Sequence, residues 1–204
     1  MTFYISKIYN SDNWIELNLT DENNNEKWEQ GIKIIRDRFE SRFLDIIHLI
    51  KNNECSGFLL MSIYCLLIET LMQFYLGEES TDKRFIGSHW RAFRDFFQQS
   101  DFFKDDFKTD KICRIFYSHF RCGLLHQAET KGESKIKIQQ EAMLKVIKNQ
   151  TRASLIIDRG KFHNCLSKEI ESYFQNLLNN KKNYLGENLR INALKKMNLI
   201  CKVN

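Results

Sequence analysis

Apolar side chains recur at three- and four-residue steps over most of the chain, the spacing that lines one face of an α-helix. Over residues 26–51, Ile32, Ile35, Phe39, Phe43, Ile46, Ile47 and Ile50 follow it, with Lys and Arg between them. Asn52, Asn53 and Glu54 break the run. A second helix is expected over residues 55–76. It is apolar nearly all round, which predicts a place at the centre of a bundle, and Gly77 suits its C-terminal stop. Residues 85–99 read as a third helix, with Trp90, Phe93, Phe96 and Phe97 as its inward stripe. Thr109 or Asp110 can cap a fourth, on which Ile112, Ile115, Phe116, Phe120 and Leu124 share a face. Residues 162–180 return to the same period through Leu166, Ile170, Tyr173, Phe174 and Leu177, and residues 184–203 form a basic amphipathic stretch.

Period-two alternation is rarer. Residues 14–19 alternate like a strand, and residues 135–138 and 154–157 read as two further short strands. Lys131-Gly132-Glu133 and Asp158-Arg159-Gly160 supply turns beside them. The pattern therefore predicts an all-α fold, a helical bundle with a small β-hairpin insertion near residues 134–158.

Composition supports that class. The chain has 204 residues, no Pro and only 8 Gly, which suits long helices because both residues disfavour helix interiors. With 43% hydrophobic residues and 16 Phe it can bury a core as a single domain over residues 1–204, the bundle itself spanning about 26–180. The N-terminus lacks the basic-then-apolar layout of a signal peptide, and the apolar run at residues 57–68 is too short for a bilayer. The six Cys show no Cys-x-x-Cys pair and no metal-ligand spacing, so a reduced, cytoplasmic setting without membrane, metal or other cofactor is expected. Charge is uneven: residues 151–204 carry 10 Lys+Arg against 4 Asp+Glu, leaving 21 against 22 for residues 1–150. Such a tail suits a polyanion such as RNA, or simply a solvated helix face.

The stretch with most chemical content is Phe116-Tyr117-Ser118-His119-Phe120-Arg121-Cys122-Gly123-Leu124-Leu125-His126, an arginine and a histidine five residues apart on the fourth helix. It resembles the HEPN family, helical bundles with an Arg-x4-6-His element on a late helix. Arg121 to His126, as RCGLLH, fits that element, and the order of helices before it agrees. The resemblance covers about residues 26–180, and only the six-residue core is specific.

The resemblance implies a metal-independent endoribonuclease acting as a homodimer, of the kind found among toxins with antitoxin partners and phage-defence effectors. His126 would be the base and Arg121 the phosphate clamp, with His119, Arg114 and Glu69 as further candidates for binding substrate. The chemistry suits RNA: an imidazole titrating near neutrality can take the 2′-hydroxyl proton, and a guanidinium fork can hold the phosphate. Two departures from the family pattern stand out. Cys122 follows the arginine where many active members carry a polar residue, and Ala128 stands where antitoxin-regulated members carry a target tyrosine. Five residues also advance about 140° on a helix, so Arg121 and His126 do not share a narrow face unless a relaxed turn at Gly123 or a second subunit closes the gap. Without the family, Arg121 reads as an ion-pair partner of Glu69 or Glu129, and His119 as a structural histidine. A catalytically silent module holding RNA, a nucleotide or a partner protein, and a purely structural helical subunit, are the two rival readings.

Overall fold

The computed structural model describes residues 2–20, 22–148 and 153–203. Asp21 lies outside them, as do residues 149–152 within the expected β insertion. The protein is mainly helical with a small three-stranded sheet.

Local capping decides the first element. Asn10 accepts from the backbone N–H of Asn13, and the Asn13 side chain accepts from that of Asn10, closing a capping box that starts α1 (Ser11–Glu16). The strand-like alternation of residues 14–19 is therefore overridden. Only Trp14 of that helix turns its ring inward, donating from Nε1 to Asn198 at 2.9 Å.

The first long helix is α2 (Asn25–Phe39), continued through a π-helical turn at Glu40–Leu44 into α3 (Asp45–Ile50). A π-turn adds one residue to the helical ladder and rotates everything beyond it. Ile47 stays in the core while Ile46, expected inside, is half-exposed. The second is α4 (Gly57–Leu76), which ends at Gly77 with φ +67°. It packs against α5 (Trp90–Gln99), α8 (Arg159–Leu178) and α9 (Leu189–Cys201). Residues 54–76 are long and apolar enough to cross a membrane, longer than the run judged in the sequence, and half of that stretch is buried inside the protein.

Thr109 Oγ1 accepts from the Ile112 N–H and starts α6 (Asp110–Phe116). A second π-turn, Tyr117–Arg121, leads into α7 (Cys122–Gln127). Phe116 stacks on Phe162 of α8 at 5.6 Å between centroids, and Phe97 of α5 stacks on Phe107 at 3.8 Å. These rings fix the motif helix against the bundle.

The β element differs from the expected hairpin. β1 (Lys135–Lys137) and β3 (Ala153–Asp158), the two strands read from the sequence, pair in parallel with Ile136 opposite Ile157. The antiparallel partner of β3 is β2 (Leu144–Lys148), with Val146 opposite Leu155, so the order is β1-β3-β2. Asp158 does not form a turn. Its Oδ1 accepts from Lys161 N–H at 2.8 Å, so β3 passes directly into α8.

Three cations of the basic C-terminal part, Arg159, Arg190 and Lys196, turn inside, while Lys161, Lys168, Lys181, Lys182, Lys195 and Lys202 are exposed. Arg190 is 1% exposed. It donates to the carbonyls of Leu177, Leu178 and Glu22 and to Asn25 Oδ1, tying the end of α8 to the start of α2. Arg159 donates to the carbonyls of Asn53 and Glu54 and to Ser56 Oγ, and Lys196 to the Glu79 carbonyl. Removing the Arg190 guanidinium strands buried acceptors. Arg190→Ala is expected to cost on the order of 3–5 kcal/mol, seen as a lower urea midpoint.

Candidate functional site

The Arg-x4-His element sits on the outer side of the π-turn and α7. Arg121 turns toward α4, where Nε donates to Glu69 Oε1 at 2.8 Å and Nη2 to Glu69 Oε2 at 3.4 Å. Burial opposes the arginine charge, but the paired carboxylate outweighs it and holds the Arg121 pKa above its ordinary value. Glu69, not Glu129, is the partner. The side chains of Arg121 and Glu69 are 23% and 18% exposed, so the pair is reachable from solvent. Nη1 makes no bond to a described residue, which leaves donors of the guanidinium fork for an anion.

His126 is exposed in the last turn of α7 and has no hydrogen-bond or ion-pair partner among the described residues. No bond joins it to Arg121. The segment between them is regular α-helix; the irregular turn lies upstream, at Tyr117–Arg121, rather than at Gly123. Within one chain the 140° offset therefore stands.

Gly123 has a different task. Residues 129–131 fold back over the motif helix, and a Cβ at Gly123 would stand 2.5 Å from the Glu129 carbonyl oxygen. The Lys131 N–H donates to the His119 carbonyl at 3.1 Å in the same return. Gly123→Ala must push that backbone away. It is expected to cost about 1–3 kcal/mol, measured as a lower melting temperature.

The other sequence candidates separate. His119 is half-buried, with Nδ1 2.8 Å from Ser134 Oγ, and it braces the 131–134 loop. Arg114 is exposed and stacks its guanidinium over Trp90 at 4.0 Å. Both border an open groove of about 380 Å³ with Lys111 and Ser118. No hydrogen bond or ion pair joins Arg114 to the Arg121–Glu69 pair among the described residues.

Two features escaped the sequence reading. Tyr117, one turn before Arg121, places its ring 5.6 Å from the guanidinium, and burial, followed by the neighbouring Cys122, pushes its pKa up to about 12. It is a protonated donor at neutral pH. Secondly, α4 is not buried all round. Phe58, Leu59 and Leu66 are 40%, 56% and 42% exposed, and Leu125 of α7 is 38% exposed. The outward stripe had a signal: Ser62, Glu69, Thr70 and Gln73 fall on it at helical spacing.

Arg121 meets Glu69 toward one end of α4, and the 129–137 loop borders a surface hollow with Phe58 at the other. The motif helix thus runs antiparallel to α4. The apolar stripe and the ion pair share the outward side of α4, while His126 is exposed about 140° round the helix from Arg121.

All six Cys are free thiols, and among the described residues no group of three or more His, Cys, Asp or Glu could hold a metal ion. What the fold and site define is a mainly helical protein bearing a solvent-facing Arg, Glu and His constellation beside an apolar stripe. No protein family, curated protein or solved structure matches this chain.

Proposed function

We propose that the chain is a HEPN-like, metal-independent endoribonuclease that works as a homodimer. The observation that supports this reading is an exposed imidazole without a partner among the described residues, on the same helix as an accessible guanidinium that is paired to the outward side of α4, where an apolar stripe is exposed. A single-chain site would leave the stripe wet and the offset open. Two copies packed through the stripe bury its leucines and turn Arg121 of one chain toward the partner's His126.

The chemistry then follows. His126 takes the proton of a ribose 2′-hydroxyl, and the oxyanion attacks the adjacent phosphorus. The P–O5′ bond breaks, giving a 2′,3′-cyclic phosphate. The leaving 5′-oxygen takes a proton from the partner's His126 in its protonated form, ending as a hydroxyl. Arg121, held by Glu69, offers its remaining donors to the phosphate oxygens as charge builds. Tyr117 is placed to donate nearby.

The test compares a labelled oligoribonucleotide with its all-2′-deoxy counterpart in EDTA. The RNA is expected to be cut and the DNA left intact, because DNA lacks the attacking oxygen. RNA that survives, or DNA that is cut equally, rejects the reading.

A second reading has one observation of its own. Arg121 is already ion-paired, and Cys122 beside it provides no strong polar partner, as a catalytically silent RNA-holding module would have it. In the same assay that module retains RNA on a filter and releases no fragments.

A further inference from the structure

A cavity of about 190 Å³ opens between α4, α5, α8 and the 182–189 segment. It is separate from the Arg121 face: Tyr75, in its wall, lies six residues beyond Glu69 on α4, about 240° round the helix. The space exceeds the ~10–15 Å³ that one water needs and falls short of the roughly 300 Å³ at which drug-sized pockets begin. A compact ligand fits.

Its wall holds an unusual carboxylate. Glu169 is 8% exposed. Tyr75 Oη donates to Oε1 at 3.0 Å, and Ser100 Oγ donates to Oε2 at 2.5 Å. Both donors are neutral hydroxyls, and among the described residues no Lys or Arg forms an ion pair with Glu169, although Lys182 also lines the cavity. Burial pushes the Glu169 pKa up, with Asp101 adding to the effect. Buried carboxylates are normally matched by a cation, and here that charge is missing. The neighbouring Asp95 shows the contrast, since its Oδ1 has Arg94 Nη2 at 2.6 Å and its Oδ2 accepts from Tyr184 Oη at 3.2 Å.

The rest of the lining selects the kind of cation. Tyr75, Phe96, Phe102 and Tyr184 line part of the space with rings, beside Asp95, Asp101 and Lys182, and Lys168 Nζ lies 6.0 Å from the Phe102 centroid. Aromatic walls suit an organic cation, whereas Ca²⁺ and Mg²⁺ require six or more oxygens.

We propose that this cavity binds a small organic ammonium ion, whose positive charge pairs with Glu169 and whose carbon skeleton lies among the Tyr75, Phe96, Phe102 and Tyr184 rings. The site is independent of the nuclease reading and stands or falls without it.

Calorimetric titration of the full chain tests it, with n-butylamine, putrescine and choline as probes. Each is set against a neutral shape match (1-butanol, 1,4-butanediol and 3,3-dimethylbutanol) at fixed ionic strength. At least one ammonium probe is expected to bind saturably at one per chain, its neutral match at least about tenfold more weakly. Glu169→Gln keeps the shape and removes the charge, and is expected to weaken binding by about tenfold or more. Should that variant not fold, Ser172→Leu fills the cavity from α8 without touching the bonds to Glu169, and is expected to abolish binding. The proposal is overturned if no ammonium probe binds, if the neutral matches bind equally, or if binding survives the variant that folds.

Discussion

His126→Ala is expected to lower RNA cleavage by about 10²–10⁴-fold, the range a positioned general base contributes. It should leave the melting temperature unchanged, because the imidazole is exposed and makes no bond within the described chain. That separation gives the experiment its force. Arg121→Ala cannot provide it: removing the guanidinium strands the half-buried Glu69 carboxylate, so lost activity and lost stability arrive together. Arg121→Lys keeps a charge near Glu69 but not the two-toothed bond, and should fall between the two. Rates are to be measured on a single labelled RNA, with thermal unfolding recorded on the same preparations. A His126→Ala variant cutting at the parental rate would remove the base from the mechanism.

Leu66→Glu is expected to convert a dimer to monomers and to take the activity with it. Leu66 is 42% exposed and lies on the outward stripe of α4, one turn before Glu69. In a lone chain the added carboxylate points to water, and surface changes of that kind stay within about 0.5 kcal/mol. Across a two-fold packing it faces apolar side chains and, by symmetry, its own copy. A charge buried without a partner costs about 3–5 kcal/mol, equivalent to at least a hundredfold in dimer affinity. Sedimentation velocity reads the change directly. A variant that stays dimeric, or a parent that is monomeric at assay concentrations yet cuts RNA, would move the interface elsewhere.

The helical class was legible because it rests on the period of Ile, Leu and Phe, and that period survives in every long helix from α2 to α8. What the pattern did not show were the interruptions. Both π-turns, Glu40–Leu44 and Tyr117–Arg121, rotate the residues beyond them without changing composition, which is why Ile46 points out. The strand expected at residues 14–19 failed because the side-chain bonds of Asn10 and Asn13 to each other's backbone outweigh an alternation of which only Trp14 and Leu19 are buried. The sheet was half visible: β3 has an apolar run and β1 a Lys-Ile alternation, whereas β2 (Leu144–Lys148), with lysines at both its second and last positions, was not read as a strand. Their parallel pairing depends on β2 lying beyond β3, a matter of topology that no local pattern encodes.

The site divides in the same manner. Glu69 as the partner of Arg121 followed from charge economy in an apolar helix, since a carboxylate there needs a cation. Gly123 was read as a flexible point, whereas the structure shows it as a contact point, because the Glu129 carbonyl occupies the space of a Cβ. The basic excess of residues 151–204 suited RNA or a solvated helix face; Arg159, Arg190 and Lys196 turn inward to backbone carbonyls, while six lysines of this part remain exposed. Net charge counts residues and is blind to the carbonyls they serve.

The central claim, proton transfer by His126 to and from the oxygens of an RNA phosphodiester, is tested most directly by the chemistry of the cut ends. RNA cleaved by the purified protein in EDTA is predicted to carry 2′,3′-cyclic phosphate and 5′-hydroxyl termini. Fragments ending in 3′-hydroxyl and 5′-phosphate would require attack by water rather than by the ribose, and would contradict it.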